Sequence, residues 1–350
     1  MSETTRLLTA TAERLFADHA TRAARDAVEA GGFPEALWAA MTEAGLALAA
    51  APEEAGGAAL ALAEVLALVR VAGAHAVPAP FVETWLAQHA LAEAKLAVPE
   101  GPLTVAPVLA GDQPALAAGR LSGRLRRVPW ARHARAIALV LAEGRTVLAG
   151  PPAIAAEGAN QAGEPRDTVL LEETPVLALG ESGTGLAPDA LWRLGALFRA
   201  NAMAGALGTV TQMALRYAGE RVQFGRPIGR FQAVQHQIAV LAGQAAAARV
   251  AAEAAAASPG RFEIACAKLR VGEAATIGAG IAHQVHGAMG FTHEHPLHFF
   301  TRRLWSWRDE FGNEAEWATW IGRAARAAGG RGLWPLVADQ PAPLPAGFAA

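Results

Sequence analysis

Residues 217–241 read YAGERVQFGRPIGRFQAVQHQIAVL. In a chain otherwise rich in alanine, a glycine–arginine–proline–isoleucine–glycine break separates two segments of helical spacing. It concentrates positive charge at Arg221, Arg226 and Arg230. Gly225 and Gly229 permit unusual backbone angles and Pro227 stops the preceding helix, which predicts a helix–helix corner. A corner alone requires neither the arginines nor the Phe231–Gln232 pair that opens the next helix. A helix N-terminus beside fixed guanidinium groups is a ready anion site. A diphosphate carrying an aromatic ring system would suit it.

Outward from this break the pattern is segregated. Upstream, Pro188 and Asp189 start a long period-3.6 segment that runs to about residue 220, and helices are predicted over 231–256, 260–286 and 314–328. Residues 1–100 also read as helical: Leu8, Ala12, Leu15 and Phe16 share a face, Pro34 suits a first turn and Gly45 an end. Between 101 and 186 the stretches LTVAPVL, ARAIALVLAEG, TVLAG and DTVLLEET are short apolar or alternating runs divided by Gly, Pro and Asp. Those are strand signals and predict a small central β domain. The resulting division is a helical domain over 1–100, a β domain over 101–186, a helical bundle over 187–330 and a loose, proline-rich tail over 331–350. Helices, then strands, then long helices argue for an α+β fold rather than alternating βαβ units.

The bulk numbers narrow the partners. Of 350 residues, 53% are hydrophobic and 18% charged, and the formal net charge is −2. That balance gives no global attraction to nucleic acid or to an anionic membrane, so an anionic ligand must be met locally. The start, MSETTRLLTATAERLF, has no apolar signal core. The alanine-rich run 239–257 is interrupted by Gln244, Arg249 and Glu253, so no membrane span is expected. Cys266 is the only cysteine, which excludes a disulfide framework. A soluble, cytoplasmic protein is the expectation.

Other motifs are weaker. GTGLAP (183–188) lacks the third glycine of a dinucleotide fingerprint, and neither GxxxxGK[ST] nor GxSxG occurs. His283 and His286 lie three apart, and His293 and His295 flank Glu294; that spacing does not give convergent metal ligands. It reads instead as polar residues at a helix end and in the loop after it. Trp305, Trp307, Trp317 and Trp320, interleaved with Arg302, Arg303 and Arg308, read as core or interface packing rather than base stacking.

The stretch 217–241 resembles a signature of the acyl-CoA dehydrogenase family, R-x-Q-F-G-x-x-I-x-x-F-Q-x-x-Q. QVHGAMGFTHEHPLHFFTRR (284–303) is similar to the family's second C-terminal signature. The resemblance is sharp over about 189–312 and architectural before that. It implies a helical N-terminal domain, a central β domain and a C-terminal four-helix bundle. The implied activity is oxidation of an acyl-CoA thioester to the 2,3-enoyl-CoA by bound FAD, with electrons passed to an electron-transfer flavoprotein. The implied assembly is a dimer of dimers. By the same resemblance Arg221, Gln223, Phe224, Ile228, Phe231 and Gln232 hold the FAD pyrophosphate and adenine, often across a subunit interface. Gln284 and Gly287 make a second FAD contact, and Arg199 lies near the substrate thioester.

The chain departs from the family pattern where the chemistry is done. Removing the α-proton of the thioester needs a carboxylate base. The family's usual Glu–Gly pair falls on Phe311–Gly312, and the alternative position before an arginine falls on Phe198–Arg199. The loops and the W-I-[ST] strand that shield the flavin ring are not recognisable; VLAGDQPAL and VPWARHARAIALV stand in their places. Three readings stay open. Asp309 or Glu310 serves as a displaced base; or a homologous partner supplies the base in a heterotetramer; or the chain is a flavin-free scaffold of the same fold.

Overall fold

The computed structural model describes residues 3–106, 111–112, 114–181 and 186–338. Its architecture is mixed α+β, with helices at both ends of the chain and a sheet between them. Tertiary contacts group it into two units, residues 1–198 and 199–350.

The first unit opens with α1 (Glu3–His19), α2 (Arg22–Glu29), α3 (Glu35–Glu43), α4 (Leu62–Ala74) and α5 (Phe81–Glu93). Local chemistry sets several of these ends. The Thr21 hydroxyl accepts from Ala24 N at the start of α2, and Pro34 precedes α3. Gly45 (φ 72°) takes the left-handed conformation just past the α3 C-cap, which a residue with a Cβ adopts only at a cost. Helix α5 is buried on nearly every side. Its Trp85 Nε1 donates to Leu46 O (2.7 Å) and its Gln88 Nε2 to Ala47 O (2.8 Å), so the polar atoms it takes inside are matched.

The sheet follows. Its strands are β1 (Leu103–Val105), β2 (Ala115–Ala117), β3 (Arg120–Pro129), β4 (Ala136–Val140), β5 (Thr146–Ala149), β6 (Ala153–Ala156) and β7 (Arg166–Leu179). The order is β1-β4-β5-β7-β3-β2, with β6 also on β7; only β1–β4 is parallel among the described strands. The long β7 is shared: its first part pairs with β3 (Leu125↔Val169) and its last part with β5 (Leu148↔Ala178). One core results, built from Leu121, Leu125, Val128, Ile137, Leu139, Val147, Val169 and Leu171. Strand β4 is buried on both faces, as an apolar AIALV run predicts. Strand β3 is absent from the sequence reading because its arginines mask the alternation of Leu121 and Leu125. Asp167, buried, accepts from Arg132 N (3.0 Å) and Gly158 N (3.1 Å) and pairs with the Arg132 guanidinium, fixing the corner after Trp130.

Helix α6 (Ala190–Glu220) begins at the predicted place. A two-strand hairpin, β8 (Val222–Gln223) and β9 (Arg226–Pro227), leads to α7 (Gln232–Ala257), α8 (Arg261–His286), α9 (Leu297–Asp309) and α10 (Glu314–Ala338). Helices α7 and α8 pack along their lengths and are tied by Arg270 Nη2 donating to Gln244 Oε1 (2.5 Å). Gly278 makes close packing possible, since a Cβ there would stand 2.8 Å from a Leu207 methyl. By length and composition α7 could cross a membrane; only 22% of its most apolar window is buried. The tail expectation is corrected: residues 331–338 are helical, because α10 breaks at Gly329 (φ 65°) and resumes with Leu336 packed on Phe262. Residues 339–350, and 183–185 of the GTGLAP stretch, lie outside the described residues.

Candidate functional site

The break at 221–231 is a tight hairpin rather than a bare corner. Helix α6 ends at Glu220. Arg221 is then pinned twice through its backbone: its N–H donates to Tyr217 O and its carbonyl accepts from Ile228 N, both at 2.8 Å. The strands pair Val222 with Pro227 and Gln223 with Arg226. Their two-residue turn, Phe224 (φ 52°) and Gly225 (φ 78°), has positive φ at both places, as a type I′ hairpin requires. Gly229, expected to supply an unusual angle, has no positive φ. Its role is close approach, because a Cβ would lie 3.0 Å from Ala218 O.

This hairpin builds a groove against the end of α8. One part, about 380 Å³, is lined by Tyr217, Arg221, Gln223, Ile228, Gln284, His286 and Gly287. A neighbouring part of similar size is lined by Gln223, Phe224, Ile228, Phe231, Val234, Gln237 and Gln284. Two segments some 60 residues apart in sequence thus meet around Ile228 and Gln284. Gln232, at the first turn of α7, is exposed and does not line either part.

The groove has features that fit a dinucleotide. Gly287 sits at φ 57°, ψ −139°, a glycine conformation, and the space where a Cβ would go is open. A ligand backbone can therefore approach the chain closely. Arg221 lies at the rim with its side chain exposed. Phe224 stands 92% exposed at the hairpin tip, edge-on to Phe231 (6.1 Å), whose ring carries the Arg226 guanidinium at 4.2 Å. Val222, Met289 and Phe291 are also exposed. Apolar rings displayed beside cations on a hairpin suit an aromatic, phosphate-bearing ligand or a covering chain.

The other predicted residues lie on α6, at the end of α9 and in the loop between α9 and α10. Arg199 and Glu310 are both buried, at 2% and 8% exposure, and Arg199 Nε donates to Glu310 Oε2 at 2.7 Å. The Arg199 guanidinium also lies 5.5 Å from the Trp307 ring centroid. Asp309 points the other way: its side chain is half exposed, 3.9 Å from Arg308 Nε. Phe311 is buried at φ 55°, followed by Gly312 at φ 91°. Phe198 is fully buried. The two positions at which the resemblance leads one to expect a base are therefore apolar and buried, and Glu310 beside them has its charge committed to Arg199.

Sequence reasoning missed what fixes this loop. Lys268, on α8, is fully buried and donates through Nζ to Arg308 O (2.6 Å) and Gly312 O (2.7 Å). Burial pushes its ammonium down to about 7, against the pull of Glu314, Glu310 and Asp309. Arg308 grips Glu314 with two parallel bonds (2.9 and 2.8 Å), and Trp317 Nε1 donates to Phe311 O (3.1 Å). The signal was a lone lysine inside the apolar run IACAKLRV.

His283 and His286 lie in the last turn of α8 and His293 and His295 in the loop after it, as expected, and several of their rings pack against aromatic groups. His283 stacks on Phe291 (4.6 Å) and Trp305 (5.5 Å), and His286 stacks on Tyr217 (4.6 Å). Burial lowers the pKa of His283, His286 and His295. Among the described residues no group of three or more His, Cys, Asp or Glu is placed to hold a metal ion. In the first unit, an apolar cavity of about 680 Å³ lies between Ala106, Val140, Leu141, Pro188, Leu191 and Trp192; its Asp112 is taken by Arg126 (2.6 Å).

Comparison with known proteins gives the same answer at every level. The profile of the acyl-CoA dehydrogenase N-terminal domain matches residues 2–94, and that of the acyl-CoA dehydrogenase C-terminal domain matches residues 191–314. Acyl-CoA dehydrogenase IpdE2 of Mycobacterium tuberculosis is 32% identical over 319 residues, 86% of this chain and 91% of that protein. A solved chain of the Tcur3481–Tcur3483 steroid ACAD superposes with TM-score 0.81 at 27% identity, covering 92% of this chain and 97% of that one. A chain of the ChsE4–ChsE5 complex from Mycobacterium tuberculosis shares the fold, with TM-score 0.80 at 24% identity over 93% of this chain and 98% of that one.

Proposed function

Because the chain belongs to the acyl-CoA dehydrogenase family, we propose that it works in α,β-dehydrogenation of an acyl-CoA thioester as the base-lacking subunit of a cytoplasmic, FAD-containing heterotetramer. The observation that carries this reading is the pair of buried phenylalanines, Phe198 and Phe311, at the two family base positions. The only carboxylate close by in sequence that is also buried, Glu310, is held by Arg199.

Bound FAD would accept the hydride that leaves the substrate β-carbon, and an electron-transfer flavoprotein would take the electrons onward. The residues of this chain would do the binding. Arg221 offers a fixed positive charge to a diphosphate, Gln223 and Gln284 offer amide donors, Gly287 offers bare backbone, and Phe224 and Phe231 offer apolar faces. Ile228 and Gln232 complete the hairpin and the helix turn that follow the family signature. The α-proton needs an acceptor with a free lone pair within hydrogen-bond reach, and neither phenylalanine has one. A homologous chain carrying the glutamate would supply it.

Two further observations favour a partner. Two solved relatives named above carry two protein names in their titles, and one of them is titled a complex. Helix α7 leaves Val240 and Val250 exposed and α8 leaves Ile277 exposed, apolar side chains suited to cover by another helical chain. The alternative, a self-sufficient enzyme using Glu310 or Asp309, requires the Arg199 pair to open. A flavin-free scaffold would have no use for a groove with a glycine-only wall.

Co-expression with a homologous chain that retains the glutamate tests the proposal. The two chains should purify together, carry about one flavin per pair, and oxidise members of an acyl-CoA panel. A colourless complex would support the scaffold. One flavin per chain in the isolated protein, with turnover, would support self-sufficiency.

A further inference from the structure

The groove beside Gly287 contains a polar group that the flavin reading leaves unused. His286 ends α8, is 2% exposed, and its ring lines the groove with Arg221, Gln223, Gln284 and Gly287. Its Nδ1 stands 2.7 Å from Ala282 O. A carbonyl oxygen only accepts, so Nδ1 carries the proton, and Nε2 of the neutral ring presents a bare lone pair. That nitrogen has no hydrogen-bond partner among the described residues. A buried polar atom without a partner is costly, and the cost disappears when a ligand supplies the missing donor.

The ring is held in place. Tyr217, the chain's single tyrosine, stacks on it at 4.6 Å with planes 29° apart, and His295 sits on another side at 4.6 Å, tilted by 57°. With Nδ1 tied back to its own helix, the ring cannot exchange its two nitrogens without giving up the Ala282 bond. Burial also disfavours the charged form, so the ring stays neutral at pH 7 and Nε2 remains an acceptor.

An acceptor selects its ligand atom. Phosphate oxygens are themselves acceptors and would be repelled by the lone pair; they belong to Arg221. A sugar hydroxyl or an exocyclic amino group is the complementary partner. We infer that His286 is a nucleotide-positioning residue whose Nε2 accepts a hydrogen bond from an O–H or N–H donor on the adenosine half of the dinucleotide. This rests on the flavin reading given under Proposed function. It adds a division of labour within the groove: the arginine reads the diphosphate, and the buried imidazole reads the nucleoside.

The test uses the full chain stripped of flavin. FAD is titrated in and followed by flavin fluorescence, with ADP as a competitor, for wild type, His286→Phe and His286→Gln. The phenylalanine ring keeps the stack on Tyr217 but has no acceptor; the glutamine amide oxygen reaches the place of Nε2. His286→Phe should raise the dissociation constants for FAD and for ADP about five- to tenfold. His286→Gln should stay within about twofold of wild type. Melting of the flavin-free protein should not fall in parallel with the affinity. If the phenylalanine variant does not fold, His286→Leu replaces it, with the same expectation. Wild-type affinity in the acceptor-less variant would overturn the inference while leaving the flavin reading intact. Equal losses in both variants would also overturn it, because shape rather than the lone pair would then be what matters. Failure of the wild-type chain to bind FAD or ADP both alone and in its complex with the glutamate-bearing homologue would remove the flavin reading and this inference together.

Discussion

Replacing Glu310 distinguishes a structural ion pair from a displaced catalytic base. The 2.7 Å contact with Arg199 Nε has a gross Coulomb attraction of roughly 6 kcal/mol at an effective dielectric of about 20. Most of that is offset by taking both charges out of water, so the pair itself adds little net stability. Removing one partner is different, because the buried Arg199 then loses the carboxylate that balances its charge. Arg199 has 3% of its side chain exposed, so its charge has little access to solvent. Glu310→Ala should therefore cost about 3–5 kcal/mol. Glu310→Gln keeps an oxygen for Arg199 Nε and should cost less, about 1–3 kcal/mol. The double variant Arg199→Met with Glu310→Leu removes both charges at similar volume and should return to within about 1 kcal/mol of wild type. Urea unfolding at fixed protein and flavin concentration measures all three. The reasoning is refuted if Glu310→Gln changes stability by less than about 0.5 kcal/mol and yet abolishes acyl-CoA oxidation. That pattern belongs to a base.

Other consequences follow from the same loop and its neighbours. Phe311→Glu places a carboxylate in front of Gly312, where the resemblance leads one to expect the base. It should confer acyl-CoA-dependent flavin reduction on a chain that lacked it, with a general base worth roughly 10²–10⁴ in rate, at some cost because the residue sits at φ 55°. Lys268 has its pKa lowered to about 7 from an ordinary 10.5, so unfolding takes up a proton between those values and stability rises with pH across that window. Between pH 7.5 and 9.5 this contributes on the order of 2 kcal/mol, and Lys268→Met should flatten the slope in a comparison of urea midpoints. The same variant should lower stability at both pH values, because Arg308 O and Gly312 O lose their donor. His283 is held neutral by burial, with His286 and His298 adding repulsion. Its contribution is fully present above pH 6.5 and is lost as pH falls below that value. His283→Phe, keeping the stack on Phe291 and Trp305, should show a shallower acid limb in thermal melts from pH 7.5 to 5.

The long elements were legible because their patterns are uninterrupted. Helices α7 and α8 begin and end within about a residue of the expected places, since Phe231–Gln232, Ser258–Pro259 and Gly287 punctuate an otherwise periodic run. Apolar β4 and β5 stood out for the same reason. Strand β3 did not, because its ten residues carry four arginines and its buried Leu121 and Leu125 are separated by a half-buried Gly123. At the site, the residues of the two signatures were readable as a resemblance. Gly225 was readable as a turn residue, although the hairpin around it was not, since four paired residues leave no periodicity. The Arg199–Glu310 pair spans 111 positions, and no local pattern links its members. Buried Lys268 and the orientation of His286 are tertiary facts of the same kind. Helix α10 runs past its expected end at residue 328, because the chain bends at Gly329 and helix resumes beyond it.

Anaerobic mixing with acyl-CoA tests the central claim most directly: this chain displays a flavin-nucleotide groove but owns no proton acceptor. Loss of the oxidised-flavin absorbance is followed for the FAD-loaded chain alone and for its complex with a glutamate-bearing homologue. The chain alone should keep its colour, and the complex should bleach within a single turnover. Bleaching by the chain alone, removed by Glu310→Gln or by the corresponding change at Asp309, would contradict the account.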